Sequence, residues 1–384
     1  MPTINRNLTG FSCMRTGTTY PVGDYLTGSP ESIRQGRPAN LRAIYGSLPA
    51  LSRPSPERGL QRYRDRLPYV AFPSLGEGGT PLVPAPRLAT RLGIGSLWVK
   101  MESQNPTGSH KDRLSSLVVA RALDLGRPCV AAASSGNGGA SLAAYAAAAG
   151  LRCAVVTTDS IPACWKKALT AYNAEIVLTK TSRQRWEIMA EKVEAGEWYP
   201  ATNFTSPVVG SNLFGLQGYK TIAYEMAEDL RGGAPDAVVI PVSRGDLLWG
   251  VYEGFRELVV EGVMARMPRL FAVEPFPRLT RVLAGDDDTG IFEGSTRLIS
   301  IGGDTVAYQL VEGVRASGGG AVVVADDAAA DDIGRLGCHG FYAEASSAVV
   351  FSAVASLRAA GTLGADDAVA VVLTSHGFKD GLRN

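Results

Sequence analysis

The chain has 384 residues, 45% of them hydrophobic and 20% charged, enough apolar material for about two domains with sizeable cores. With 38 basic and 37 acidic residues the net charge is +1 and no Lys/Arg run stands out, so nothing favours a nucleic-acid partner. The five cysteines, at 13, 129, 153, 164 and 338, are scattered and form no C-x-x-C pair, which speaks against a disulfide framework or a metal site and for a reducing cytoplasm. The N-terminus, MPTINRNLTGF, has no apolar h-region, so no secretory signal is expected. Residues 1–65 are turn-rich, and FPSLGEGGTPLVPAPRL (72–88) is a Gly/Pro-dense loop before the short strand LWVKME (97–102). SSLVVARALDLG (115–126) reads as a helix, CVAAA (129–133) as a strand and SLAAYAAAAG (141–150) as an Ala-rich helix. CAVVTT (153–158) and AEIVLT (174–179) are the next strands, with a helix carrying Lys166 and Lys167 between them. The most apolar stretch (143–158) is broken by Gly150 and Arg152, so it predicts a buried helix and a strand, not a membrane span.

After residue 205 the alternation restarts. KTIAYEMAEDL (220–230) predicts a helix, AVVIPV (237–242) a buried strand and LLWGVYEGFRELVVEG (247–262) a helix. RLFAVEP (269–275), AVVVAD (321–326) and AVAVVLTS (368–375) are further strands, and Asp326 is positioned to cap the helix AAADDIGRL. Alternating strands and helices predict an α/β fold of two open, twisted parallel-sheet domains, with a ligand at the strand C-termini. The expected division sets 1–65 apart as an N-terminal segment. It joins 66–100 with 205–384 as a large domain and leaves 101–204 as a small one.

Two segments carry chemistry. In NPTGSHKDR (105–113), Lys111 follows a turn and opens a helix, where the helix dipole disfavours an ammonium. An amine there suits attack on an aldehyde, as a Schiff-base lysine does, so Lys111 is a candidate covalent anchor for pyridoxal 5'-phosphate (PLP). In SSGNGG (134–139), between strand and helix, backbone amides at a helix N-terminus suit an anion. Glycines at 136, 138 and 139 allow close approach, and Ser135 and Asn137 add polar side chains. A plain strand-to-helix loop with an N-cap serine is the alternative for this segment alone.

Together these segments resemble the PLP-dependent enzymes of the tryptophan-synthase-beta fold (fold type II). RYRDRLP (62–68), SLGEGGTPLV (74–83), ESQNPTGSHKDR (102–113), SSGNGGASLAAYAAAAGL (134–151), GLQGYKT (215–221), AEASSA (343–348) and LTSHGFKD (373–380) follow the order of the threonine-synthase branch. The resemblance implies a cofactor in the cleft between the two domains. It implies that Lys111 forms the internal aldimine and moves the Cα proton, and that Asn137 hydrogen-bonds the ring O3′. Ser134, Ser135, Gly136, Asn137, Gly138 and Gly139 then form the substrate-carboxylate loop. Thr374 faces the pyridine nitrogen, and a hydroxyl cannot hold that nitrogen protonated as a carboxylate would. Ser243, Arg244, Gly245 and Asp246 occupy the place of the phosphate cradle. Glu344 matches an acidic residue near the ring, and His376 lies beside Thr374.

The chain also departs from that pattern. The cradle is nearly all glycine in the family and reads SRGD here, so Arg244 stands to bind phosphate by charge while Asp246 opposes it. His110 replaces an aromatic residue before the lysine, placing it near the cofactor phosphate or in simple ring packing. Gly215 stands where threonine synthases carry a substrate-phosphate arginine, and Gln217 where they carry a glutamate. Lys166, Lys167 and Arg278 are read as solvated surface charges. Cys13 marks what resembles a decayed zinc ribbon without four ligands. The expected function is elimination and replacement at Cβ or Cγ of an amino acid through an external aldimine. The alternatives are β-elimination or β-replacement on serine, phosphoserine or threonine, as in dehydratases and diaminopropionate- or cysteate-forming enzymes, and a catalytically silent PLP-fold protein. A cytoplasmic enzyme with a small amino-acid substrate, a possible homodimer, and neither nucleic acid nor membrane as partner completes the expectation.

Overall fold

The computed structural model describes residues 1–51, 56–231 and 233–379. By contacts the chain divides into two compact units, residues 1–79 with 105–219 and residues 80–104 with 220–384.

The first unit holds a four-stranded, wholly parallel sheet in the order Glu175–Thr179, Arg152–Thr158, Cys129–Ala133, Tyr199–Pro200. The central strands Cys129–Ala133 and Arg152–Thr158 are largely buried apolar runs, as strands covered on both faces require. Cys129, Ala131, Ala154 and Val156 pack with Met189, Trp198 and Phe204. The helices Lys111–Asp124 and Asn137–Ala148 run beside one another, joined by Ser141 Oγ, which donates to Asp112 Oδ1 at 2.6 Å and lies 2.7 Å from the Ser115 hydroxyl, from which it can accept. The N-terminal residues add a small antiparallel sheet, Thr19–Tyr20, Leu8–Cys13 and Leu41–Tyr45. Leu8, Phe11, Leu41 and Leu60 from this region pack with Leu117, Ala120 and Phe214. Each buried leucine or phenylalanine among them contributes about 1.5–3 kcal/mol, which is why residues 1–65 group with the lysine-bearing helix. Cys13 is buried and accepts a hydrogen bond from Ser29 Oγ at 2.9 Å.

The second unit is built on a six-stranded sheet in the order Gly320–Val323, Arg269–Glu274, Ala237–Pro241, Ala368–Val372, Ser96–Lys100, Leu82–Pro84. Its first five strands are parallel, and Leu82–Pro84 adds an antiparallel edge that the sequence reading had placed in a loop. Every residue of Ala237–Pro241 is buried, as its unbroken apolar run predicts. Val99, Val239, Val273 and Val371 pack with Leu88, Val350, Val354 and Leu357 from the flanking helices. Buried ion pairs in this unit include Lys100 Nζ to Glu225 at 2.6 Å and Lys220 Nζ to Glu257 at 2.8 Å.

Two expectations need correction. Asp326 does not cap the following helix, which begins at Ala328; its carboxylate accepts from Arg297 N at 2.5 Å and from Thr296 Oγ1. Arg278 is not a surface charge but 1% exposed.

Candidate functional site

Lys111 is the first residue of its helix, and the preceding turn is fixed by Asp112. The buried Asp112 carboxylate accepts from Thr107 N at 2.6 Å, Thr107 Oγ1 at 2.5 Å and Ser141 Oγ at 2.6 Å. This ties NPTG, the lysine helix and the neighbouring helix together through one side chain. Lys111 is half-buried, with its Nζ 5.8 Å from the centre of the Tyr219 ring. The His110 ring lies 5.5 Å from the same tyrosine, tilted by 43°. Both sequence neighbours thus use Tyr219 as a wall, so His110 takes part in ring packing.

The 134–139 loop follows the strand Cys129–Ala133 and leads into the helix Asn137–Ala148. Ser134 Oγ closes it, accepting from Gly136 N at 3.3 Å and Gly139 N at 3.0 Å. The hydroxyl of Ser135 accepts from Thr157 Oγ1 at 3.0 Å and Arg185 Nη1 at 3.1 Å. Asn137 is 7% exposed and Gly138 half-buried at the helix start. Arg185 was not singled out by sequence reasoning, because it sits in an otherwise unremarked helix, Ser182–Glu194. Tyr145 on the loop's helix donates to Glu77 Oε2 at 2.7 Å, and burial with the nearby Glu77 and Asp112 charges pushes its hydroxyl far above the usual tyrosine range. The GEGG segment is thereby anchored to the same helix.

Gly215, in the short helix Leu213–Leu216, lies against the lysine helix. A Cβ there would stand 2.6 Å from Val118 Cγ2 and 2.8 Å from Leu114 Cγ. An arginine at this position would have to displace the Val118 and Leu114 side chains of that helix.

In the second unit, Ser243, Arg244, Gly245 and Asp246 link the strand Ala237–Pro241 to the helix Asp246–Val260. Gly245 has φ +102°, and a Cβ would come within 2.2 Å of Leu310 Cβ, so the turn admits only glycine there. Arg244 is half-buried and donates from Nε to Thr305 Oγ1 at 3.1 Å. Asp246 accepts from Gln309 Nε2, which gives its carboxylate a donor on the neighbouring helix Tyr308–Ala316. At Gly303 a Cβ would lie 2.8 Å from Ser243 Oγ and 3.4 Å from Arg244 Cζ. The bare Cα leaves room beside a hydroxyl and a guanidinium. That donor set, at a helix N-terminus, fits a phosphate. Arg244→Ala should raise the Kd for PLP about tenfold, the value of one charge-assisted contact, measured by titrating the apoprotein; unchanged loading would mean the guanidinium does not reach the phosphate.

Thr374 is 7% exposed, and its Oγ1 lies 2.5 Å from Ser347 Oγ. Ser347 also accepts from Ser375 N at 3.1 Å. Glu344 hydrogen-bonds through its N–H to Ser375 O at 3.1 Å and through its carboxylate to Ser300. Burial, with Lys379 nearby, holds His376 below its ordinary pKa, and its ring stacks on the exposed Phe378 at 4.4 Å. The last residue of this motif, Asp380, lies outside the described residues.

No helix among the described residues is long and apolar enough to cross a membrane. No group of three or more His, Cys, Asp or Glu among them is arranged to hold a metal ion.

The sequence matches the family model for pyridoxal-phosphate dependent enzymes over residues 73–375. The threonine synthase of Methanocaldococcus jannaschii is 32% identical over 389 aligned residues, covering 96% of this chain and 92% of that protein. The threonine synthase of Mycobacterium tuberculosis is 30% identical, covering 83% of this chain and 87% of its own length. Among solved structures, an O-ureido-L-serine synthase superposes with a TM-score of 0.64 at 26% identity, covering 78% of this chain and 90% of its own. Maize serine racemase, at 19% identity and a TM-score of 0.67, shares the fold over 79% of this chain and 89% of its own.

Proposed function

Because the chain belongs to the pyridoxal-phosphate-dependent enzymes, in their threonine-synthase branch, we propose that it is a lyase that removes a leaving group from Cβ or Cγ of an amino acid and adds a nucleophile in its place. When bound, PLP supplies the electron sink for charge developing at the amino acid's Cα. Lys111 would anchor the cofactor covalently and, once displaced, take up and return the Cα proton through Nζ. Asn137 would donate to the cofactor ring, and the Ser135 hydroxyl with the 134–139 loop would hold the substrate carboxylate. In the second unit, Ser243, Arg244, Gly245 and Asp246 would form the phosphate loop, with Arg244 supplying the charge. Thr374 presents a neutral hydroxyl already bound to Ser347, a partner that does not keep a pyridine nitrogen protonated.

The observation that carries this reading is the half-buried Lys111 amine at the first turn of its helix, held there by the three bonds to Asp112. The packing around Gly215 supports a second version, β-elimination or β-replacement on a serine-type substrate, because a guanidinium there to bind the phosphate of phosphohomoserine would have to displace the Val118 and Leu114 side chains. Mixing the PLP-loaded protein with phosphohomoserine, phosphoserine, serine and threonine, and following absorbance and products, separates the two. Turnover of phosphohomoserine to threonine supports the first version. Turnover confined to phosphoserine, serine and threonine supports the second, and no reaction with any of the four would defeat both. A cytoplasmic setting and a homodimer belong to the same reading, and fractionation and light scattering test them.

A further inference from the structure

Arg278 lies just after the strand Arg269–Glu274 and is buried, yet its charge is not matched by a close carboxylate alone. Its Nε stands 3.5 Å from Glu274 Oε2. That carboxylate is already engaged by the N–H groups of Arg278, Leu279 and Thr280 at 3.1, 2.8 and 2.9 Å, and by Thr280 Oγ1 at 2.6 Å. Burial lowers the Arg278 pKa to about 10. The two Nη atoms face main-chain carbonyls instead. Nη2 donates to Val242 O at 3.1 Å, and Nη1 donates to Ser243 O at 3.2 Å and to Gly303 O.

These carbonyls belong to the SRGD loop and to the Gly303 segment beside it. The chain's described cis bond is at Ser206–Pro207, so the three peptides involved are trans. In a trans peptide the carbonyl of one residue and the N–H of the next point in opposite directions. Drawing the carbonyls of 242, 243 and 303 onto one guanidinium therefore turns the N–H groups of Ser243, Arg244 and Asp304 away from it. Several N–H groups presented together form an anion-binding concavity. The spacing at Gly303, where a Cβ would fall 2.8 Å from Ser243 Oγ, shows that the two segments run side by side.

We infer that Arg278 is a positioning residue of the phosphate site: from behind the loop it orients the Ser243, Arg244 and Asp304 amides toward the cofactor phosphate, and so sets the preference for PLP over pyridoxal. The inference rests on the reading of 243–246 as the phosphate loop. It explains how a loop with a single glycine can still present its amides, since the orientation that runs of glycine permit is here imposed by a buried cation.

The test compares equilibrium binding of PLP and of pyridoxal to the apoprotein, by fluorescence quenching, for the wild type, Arg278→Met and Arg278→Lys. Arg278→Met should weaken PLP by about tenfold or more and pyridoxal by less than about twofold. Arg278→Lys, with a point charge in place of a fork, should recover part of the PLP affinity. Added inorganic phosphate should protect wild-type apoprotein against thermal unfolding and protect Arg278→Met less. Equal losses for PLP and pyridoxal, or no loss for either, would overturn the inference. If Arg278→Met does not fold, Arg278→Gln, which keeps one amide donor, carries the same comparison. Wild-type protein that binds PLP no better than pyridoxal would instead refute the phosphate-loop assignment itself.

Discussion

Replacing Lys111 by alanine is expected to reduce turnover by about three orders of magnitude or more, since both the covalent anchor and the proton-transferring amine are lost. The variant should still take up PLP, because the ring and phosphate contacts proposed for Asn137, Thr374 and the 243–246 loop do not involve the lysine. It should lose covalent attachment, so borohydride treatment followed by peptide mass analysis should find the cofactor on position 111 of the wild type only. The fold should be nearly unaffected. Removing a cation from a helix N-terminus and introducing alanine each favour the helix by up to about 1 kcal/mol. Loss of the ammonium–Tyr219 contact removes a similar amount, about 0.5–1 kcal/mol. A melting temperature close to wild type with turnover retained would refute the assignment. A variant that fails to fold would instead give Lys111 a structural role that its half-buried position does not suggest.

The second large effect should come from Asp112→Ala, through stability. Three donors converge on this buried carboxylate, the N–H and hydroxyl of Thr107 and the hydroxyl of Ser141. Leaving them without an acceptor should cost about 3 kcal/mol or more, because orphaned buried donors lose the bonds they had with water in the unfolded chain. In a unit of this size that corresponds to a fall of about 6–12 °C in melting temperature. Turnover should fall further than the folded fraction does, because the same bonds set the turn that delivers Lys111. Asp112→Asn keeps one acceptor oxygen and should lie between the two. An unchanged melting temperature for Asp112→Ala would show that the convergence contributes little.

Much of the parallel architecture was legible because its strands are unbroken apolar runs bounded by turn residues. Cys129–Ala133 and Ala237–Pro241 begin as read, and each helix named from the sequence overlaps an observed one, although other helices, such as Pro86–Leu92 and Ser182–Glu194, were not anticipated. The N-terminal antiparallel sheet was not, since strands of two to six residues among glycines and prolines leave no period to detect. The placement of Lys111 at a helix start and of the 134–139 loop between a strand and a helix was legible because motif and neighbouring elements lie together in sequence. Arg278 was misread for a definite reason. A charged side chain is normally solvated, and the carbonyls that bury this one come from residues 242, 243 and 303, whose arrangement no local pattern encodes. Arg185 and Gly303 escaped notice on the same ground, since each matters through a partner distant in sequence.

The close approach around Gly218 bears on motion. A Cβ there would fall 2.0 Å from Arg113 O, and one at Gly215 would strike Val118 and Leu114. The segment 213–219 therefore packs closely on the lysine helix, against main chain at Gly218 and against the Val118 and Leu114 side chains at Gly215. Shear along such a contact is strongly resisted, so Tyr219 and Lys111 should travel as one rigid piece. Whatever rearrangement accompanies substrate entry, the lysine would keep the same aromatic wall throughout, and its surroundings would remain constant from one turnover to the next.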